Sequence, residues 1–195
     1  MKKLSVILLS CCMAAVTTRV VAIDAAAVPE IKRSQIGLYL TSAEAYEMAL
    51  KEKETLLFID VRTRAEVNFL GMPTVADTNI PYMELDNMYS WDEKKGVFKM
   101  EPNSGFVTAV QDQLKKKGLE NNGKIVVMCR SGDRSAKAAD LLAKAGYKNV
   151  YSVVDGYEGD VAKEGAHKGQ RAVNGWRNGN LPWSYSLTKD KMYFE

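Results

Sequence analysis

Short apolar runs alternate along this chain with stretches whose apolar residues recur at helical spacing. The run Lys124-Ile125-Val126-Val127-Met128 is apolar and β-branched and reads as a short buried strand. Residues 55–61 have the same character. Residues 37–40 read as a short first strand and 149–153 as the last strand of the core. Thr41-x-x-Glu44 has the form of a capping box, in which side chain and backbone at a helix start satisfy each other's hydrogen bonds. It opens a helix to about Lys53, with Ala45, Met48 and Ala49 on the inner stripe. A short helix follows over 64–69. Asn103 can cap another over 104–117, with Phe106, Val107, Val110 and Leu114 inward and Gly118 as its stop. Residues 135–145 read as a further helix with Ala136, Ala139, Leu142 and Ala143 on one stripe, ended by Gly146. Strands alternating with helices predict an α/β fold, a central parallel sheet flanked by helices on both faces.

Two regions fit this alternation less well. Residues 81–102 are long for a connection and hold Met83, Met88, Tyr89, Trp91 and Phe98 among charges. They suit a small hairpin with its turn over 92–96. Their apolar side chains read either as a satellite hydrophobic cluster or as an aromatic wall beside a pocket. The second region is the tail, where Trp176 and Trp183 are expected to fold back as packing.

The chain has 195 residues, enough for one domain with a proper core. Lys plus Arg number 27 against 24 Asp plus Glu, a near balance that argues against a nucleic-acid or membrane-surface role. Lys115, Lys116 and Lys117 end a helix, where cations suit the dipole. Lys2 and Lys3 precede an apolar stretch over 4–16, and cleavage after Ala22 or Ala27 would suit a secretory signal. The expectation is therefore a signal peptide over 1–27 and a single domain over 28–195 with a C-terminal extension from 160. A periplasmic or secreted protein without a membrane span follows. Leu8-Leu9-Ser10-Cys11 distantly resembles a lipoprotein box, but the apolar stretch before it is too short to favour a lipid anchor. Cys11 and Cys12 would leave with the signal, so Cys129 would be the lone thiol of the mature chain, with no internal disulfide partner. His167, between Gly165 and Gly169, has no ligand cluster around it and reads as surface loop. No metal and no cofactor are expected.

Cys129-Arg130-Ser131-Gly132-Asp133-Arg134-Ser135 concentrates the chemistry. Cys129 stands where a strand ends, a tight loop turns and a helix begins. A helix N-terminus offers unpaired N–H groups and the positive end of a dipole, and Arg130 and Arg134 add two cations. Each favours a thiolate over a thiol. The beyond-strand position is also where α/β sheets bind ligands.

The segment resembles the active-site loop of the rhodanese sulfurtransferases. Cys129 matches the family's sulfur-carrying cysteine, Arg130 to Arg134 match the rest of the loop, and Ser135 opens the helix behind it. Asp60-Val61-Arg62 with Glu66, Asn79-Ile80-Pro81, and the strand and Gly turn over 147–156 match flanking features, so the resemblance spans roughly 38–158. Departures lie outside the loop, at Gly71-Met72-Pro73 and at Asp155-Gly156. The Asn174-Gly175-Trp176 and Leu181-Pro182-Trp183 tail resembles endings of exported bacterial single-domain rhodaneses.

The resemblance implies transfer of sulfane sulfur from thiosulfate or polysulfide, through a persulfide on Cys129, to a thiophilic acceptor such as cyanide, a thiol or a partner protein. It implies substrate binding by Arg130, Ser131, Gly132, Asp133, Arg134 and Ser135. From their positions, Arg134 at the end of the loop is expected to anchor it and Arg130 next to Cys129 to face the donor. Asp60 reads as a cap or ion-pair residue. Arg62 reads as a partner of Glu66 or a part of the anion entrance, and Trp91 as a member of the aromatic wall. Two other classes compete. One is a sulfur carrier that does not turn over and hands persulfide sulfur to a protein. The other is a small phosphatase or arsenate reductase, disfavoured because such loops run Cys-x5-Arg, one residue longer than the Cys-x4-Arg found here. An inert buried cysteine would leave both loop arginines unexplained.

Overall fold

The computed structural model describes residues 23–119 and 122–194. The expected signal segment, with Cys11 and Cys12, lies outside the described residues up to position 22, and Ala25–Ala27 forms a single 3-10 turn. In chain order the strands are β1 (Tyr39–Leu40), β2 (Leu56–Asp60), β3 (Met72–Pro73), β4 (Thr78–Asn79), β5 (Met83–Leu85), β6 (Trp91–Asp92), β7 (Val97–Phe98), β8 (Met100–Pro102), β9 (Lys124–Met128), β10 (Val150–Val153) and β11 (Trp183–Ser184). The α-helices are α1 (Ser42–Lys51), α2 (Arg64–Leu70), α3 (Phe106–Lys116) and α4 (Asp133–Lys144).

Five strands form one parallel sheet in the order β1-β10-β9-β2-β4, with β9 at its centre. All five residues of β2 are buried, because both faces of the sheet are covered. Leu57, Ile59, Ile125 and Val127 face the layer of α3 and α4, where Phe106, Val110, Leu114, Ala138, Ala139 and Leu142 meet them. Leu56, Phe58, Val126 and Met128 face the other way, against Ala45, Met48 and Ala49 of α1.

That second face is completed by the tail. Trp176 is 0% exposed and meets Tyr46 and Phe58 edge-on at 5.7 and 5.6 Å. Its Nε1–H donates to Pro182 O at 3.0 Å. β11 then pairs antiparallel with β3, so Gly71-Met72-Pro73 is where the tail docks. A Cβ on Gly71, whose φ is +78°, would lie 2.7 Å from the Trp183 ring. The tryptophans are therefore packing, as the pattern suggests. Trp176→Ala should lower the stability by roughly 3–5 kcal/mol, the cost of an emptied aromatic site, read from the thermal unfolding midpoint.

Several expectations shift on inspection. The Thr41/Glu44 capping box is present, and Gly118 and Gly146 end their helices at φ +70° and +99°. Asn103, however, accepts from Gly105 N–H at 2.9 Å and α3 starts only at Phe106. Residues 81–102 form two antiparallel pairs, β5 with β8 and β6 with β7, and the 92–96 turn closes through Gly96 N–H to Asp92 O at 2.8 Å. The apolar side chains of this arm do not gather into a buried cluster: Met88, Tyr89, Trp91, Val97, Phe98 and Met100 are all exposed. Strands of two and three residues bury too little on either side to enclose them. Among the described residues, no helix is long and apolar enough to cross a membrane.

Candidate active site

β9 delivers Cys129 to the carboxyl end of the central strand, and the chain turns over residues 129–132 into α4. Gly132 makes the turn at φ +98°, and a Cβ there would fall 2.2 Å from Val154 O. The helix starts at Asp133, two positions before the expected Ser135. Asp133, Arg134 and Ser135 thus belong to its first turn, where an acidic residue complements the dipole.

The Cys129 side chain is 1% exposed. Gly132 N–H donates to its Sγ at 3.2 Å, and Ser135 Oγ lies 3.5 Å from it. Ser135 Oγ also reaches Gly132 O and Val153 O at 3.0 and 3.2 Å, which fixes the hydroxyl beneath the sulfur. The loop is backed by the turn after β10. Tyr157 N–H donates to Cys129 O at 2.8 Å and Glu158 N–H to Arg130 O at 2.9 Å. Gly156 permits this approach, since a Cβ there would lie 2.6 Å from Cys129 O and Ser131 N. Asp155 ties the same turn to α1 and the tail, accepting from Ser42 N–H and Oγ–H at 2.8 Å and from Gly175 N–H at 3.2 Å. Burial pushes its pKa up, and those hydrogen bonds oppose the shift.

The two loop arginines have different surroundings. Arg130 is exposed and Arg134 is buried. Arg134 makes a two-pronged ion pair with Glu66, Nη2 to Oε1 at 2.6 Å and Nη1 to Oε2 at 2.7 Å. Glu66 also closes a capping box with Thr63 at the start of α2, accepting from its N–H at 2.9 Å. Burial alone would raise the Glu66 carboxyl pKa. The Arg134 hydrogen bonds and charge outweigh it, helped by Thr63 and Arg62, and bring it down to about 2. Burial pulls Arg134 down, but Glu66 holds its pKa above the usual arginine value.

Because the folded Glu66 pKa lies below its ordinary 4.5, the stability from this pair is fully present above about pH 4.5. It is lost as pH falls toward 2. Acid unfolding is therefore expected to steepen in that window, and Glu66→Gln should flatten the dependence there, as measured by denaturant melts across pH.

Arg62 is not the partner of Glu66. It is fully buried with Asp60, its Nη2 donating to Asp60 Oδ2 at 2.6 Å and to Gly71 O at 2.7 Å. Its guanidinium lies 3.6 Å from the Tyr157 ring centre. Arg62 precedes α2 and so does not share a helix face with Glu66. The structure therefore groups Cys129, Gly132 and Ser135 about the sulfur, and supports them with Arg134–Glu66 and Asp60–Arg62. Ser131 is half-buried in the loop, and Asp133 pairs with Lys137 at 2.8 Å. Trp91 sits on the arm, 45% exposed, with its ring edge-on to Phe98 at 5.3 Å. His167 is exposed, with Nδ1 3.2 Å from Gln170 Oε1. Among the described residues, no group of three or more His, Cys, Asp or Glu could hold a metal ion. The Thr63-x-x-Glu66 spacing carries the same signature as Thr41-x-x-Glu44, so the cap that positions Glu66 was open to reading.

A model of the rhodanese-like domain matches residues 41–163, more than half of the chain. The chain belongs to the rhodanese family. An uncharacterised protein of Rickettsia conorii is 32% identical over 146 residues, covering 75% of this chain and 96% of that protein. Thiosulfate sulfurtransferase 16, a chloroplastic protein of Arabidopsis thaliana, is 33% identical over 100 residues, covering 51% and 69%. The crystal structure of Rv0390 from M. tuberculosis superposes with a TM-score of 0.56 at 28% identity, covering 75% of this chain and 96% of that one. The tail of this rhodanese-like protein, from residue 164 on, lies outside the matched region yet completes its core.

Proposed function

We propose that the protein is a sulfurtransferase that carries sulfane sulfur as a persulfide on Cys129. The observation that carries this reading is the placement of Sγ: at the end of the central strand, facing Gly132 N–H and Ser135 Oγ, in a turn of four residues before α4. Such a turn suits one sulfur anion and is cramped for a phosphoryl group. The named activity of the Arabidopsis relative points the same way.

In the first half-reaction the Cys129 thiolate attacks the outer sulfur of thiosulfate, the S–S bond of the donor breaks, and sulfite leaves with the electron pair. A Cys129 persulfide anion remains. In the second, an acceptor such as cyanide takes the terminal sulfur as thiocyanate and returns the thiolate. Polysulfide would enter the same way, leaving one sulfur shorter. The backbone amide at Gly132 and the dipole of α4 stabilise the anionic sulfur by groups fixed before reaction. The basic and apolar N-terminal segment supports an exported protein that hands sulfur to an external thiol or protein.

A steady-state assay with thiosulfate and cyanide tests this, with p-nitrophenyl phosphate run in parallel. Thiocyanate formation with ping-pong kinetics and no phosphate release is expected. Phosphate release without thiocyanate would overturn the reading. Rapid persulfide formation with negligible thiocyanate turnover would make the protein a sulfur carrier instead.

A further inference from the structure

Arg171 lies in the tail, beyond the matched domain, and the loop chemistry above makes no use of it. Its main chain is held independently of its side chain, by a bridge to Val161 and by Asn178 Nδ2 donating to its carbonyl at 3.2 Å. Its guanidinium donates from Nη1 to Gly159 O at 2.6 Å. Gly159 N–H reaches Arg130 O at 3.3 Å, and Glu158 N–H reaches the same oxygen at 2.9 Å. One short turn thus joins Arg171 to the segment that bears Cys129 and Arg130. The side chain is 25% exposed, neither sealed in nor free in solvent.

The charges here do not balance. Glu158 is the carboxylate beside Arg171, and its Oε2 stands 3.9 Å from Nε, the outer limit of an ion pair. Asp160 is already held by Lys32 at 2.6 Å and by Asn174 at 3.1 Å. Burial disfavours the Arg171 cation and the nearby charge of Arg130 disfavours it further, against the pull of Glu158, Asp160 and Cys129. The Arg171 guanidinium is thus pinned to the turn that binds the Arg130 carbonyl, and it is the Arg130 charge that adds to burial in disfavouring its cation. Like charges held together and partly desolvated are relieved by an anion between them.

We propose that Arg130 and Arg171 form a two-guanidinium clamp for the dianionic, sulfonate-type head of the sulfur donor. The proposal rests on the sulfurtransferase reading and deepens it by naming the donor class. Guanidinium forks match tetrahedral oxyanions with paired, charge-assisted hydrogen bonds. Held this way, thiosulfate turns its outer sulfur toward Sγ, and the clamp holds the sulfonate oxygens equally before and after the S–S bond breaks. The tail thereby sets donor preference, since the matched domain alone supplies only Arg130. Arg171 touches the donor and not the reacting sulfur, so its effect falls on KM and little on kcat.

The test is protection of Cys129 from iodoacetamide by sulfate, an unreactive tetrahedral dianion, at ionic strength held constant with chloride and read by intact mass. The reagent is neutral, so the arginines do not steer it, and the assay needs no turnover. Sulfate should protect the wild type. Arg171→Gln and Arg130→Gln should each raise the half-protecting concentration about tenfold, the loss of one charge-assisted contact. Arg171→Lys, which keeps the charge and loses the fork, should fall between. Arg171→Gln should raise the thiosulfate KM by the same factor and change kcat by less than about twofold. Equal protection of wild type and Arg171→Gln, or no protection of the wild type, would overturn the clamp. So would an Arg171→Lys variant that melts like wild type yet gains no protection over Arg171→Gln. Sulfate protection without thiocyanate formation would refute the activity and leave the clamp standing.

Discussion

Cys129→Ser is expected to remove sulfur transfer to the background rate, a loss of at least roughly a thousandfold. A serine hydroxyl is far less acidic than a thiol, and a hydroxyl oxygen cannot hold sulfane sulfur as a stable persulfide. Among the described residues Cys129 is the one free cysteine, so none of the others could take its place. The fold should survive. Gly132 N–H and Ser135 Oγ, which now face Sγ, would face the new hydroxyl and keep it hydrogen-bonded. Thiocyanate release and a thermal melt on the same preparation check both halves. Wild-type rates in the variant would remove Cys129 from the mechanism.

Arg134→Ala is expected to cost both stability and rate. The substitution leaves Glu66 with no countercharge at 2.6 Å while Thr63 still holds it in place at the start of α2. Breaking a fully buried pair from one side typically costs about 3–5 kcal/mol, and this pair, 10% and 19% exposed at its two side chains, should lose less than that. In a domain of this size each kcal/mol lowers the unfolding midpoint by roughly 2–4 °C. Glu66 would then lose the contact that holds its pKa near 2, so the variant's deficit against wild type should be full above about pH 4.5 and shrink as pH falls toward 2. Arg134→Lys should recover only part of the loss, because an ammonium cannot make the paired contact. The rate falls as well, since Arg134 holds the first turn of α4 against α2 and so sets where Gly132 N–H meets the sulfur. Denaturant melts at pH 7 and 4, alongside kcat/KM, measure both effects. A variant as stable as wild type at both pH values would contradict the anchoring role.

How far the fold and site could be read in advance depends on the kind of signal each residue carries. β2 and β9 are apolar on both faces and stand out as buried strands wherever they go. The capping box at Thr41 and the glycine stops at Gly118 and Gly146 are local signals and are realised locally. The start of α4 was harder. Its first turn is polar, Asp133-Arg134-Ser135, so apolar spacing begins only later. The Gly132 turn at φ +98° that permits the early start looks like loop in a string of letters. The Glu66 partner is a matter of tertiary distance. Arg62 lies four positions from Glu66 and invites pairing, yet it precedes the helix, while Arg134 arrives from 68 positions away. The tail shows the same limit. Trp176 is legible as a residue that wants burial, but that it roofs the α1 face of the sheet depends on β11 meeting β3. Arg171 is one polar residue among many in the sequence, and only the turn after β10 links its side chain, through Gly159, to the Arg130 carbonyl.

The central claim is that Cys129 itself carries the sulfur, and the mass of the protein after brief exposure to thiosulfate or polysulfide tests it most directly. The account predicts an increase of about one sulfur, ~32 Da, located on the peptide containing Cys129 and discharged by cyanide with one equivalent of thiocyanate. An unchanged mass with either donor, or an increase that persists in Cys129→Ser, would contradict it.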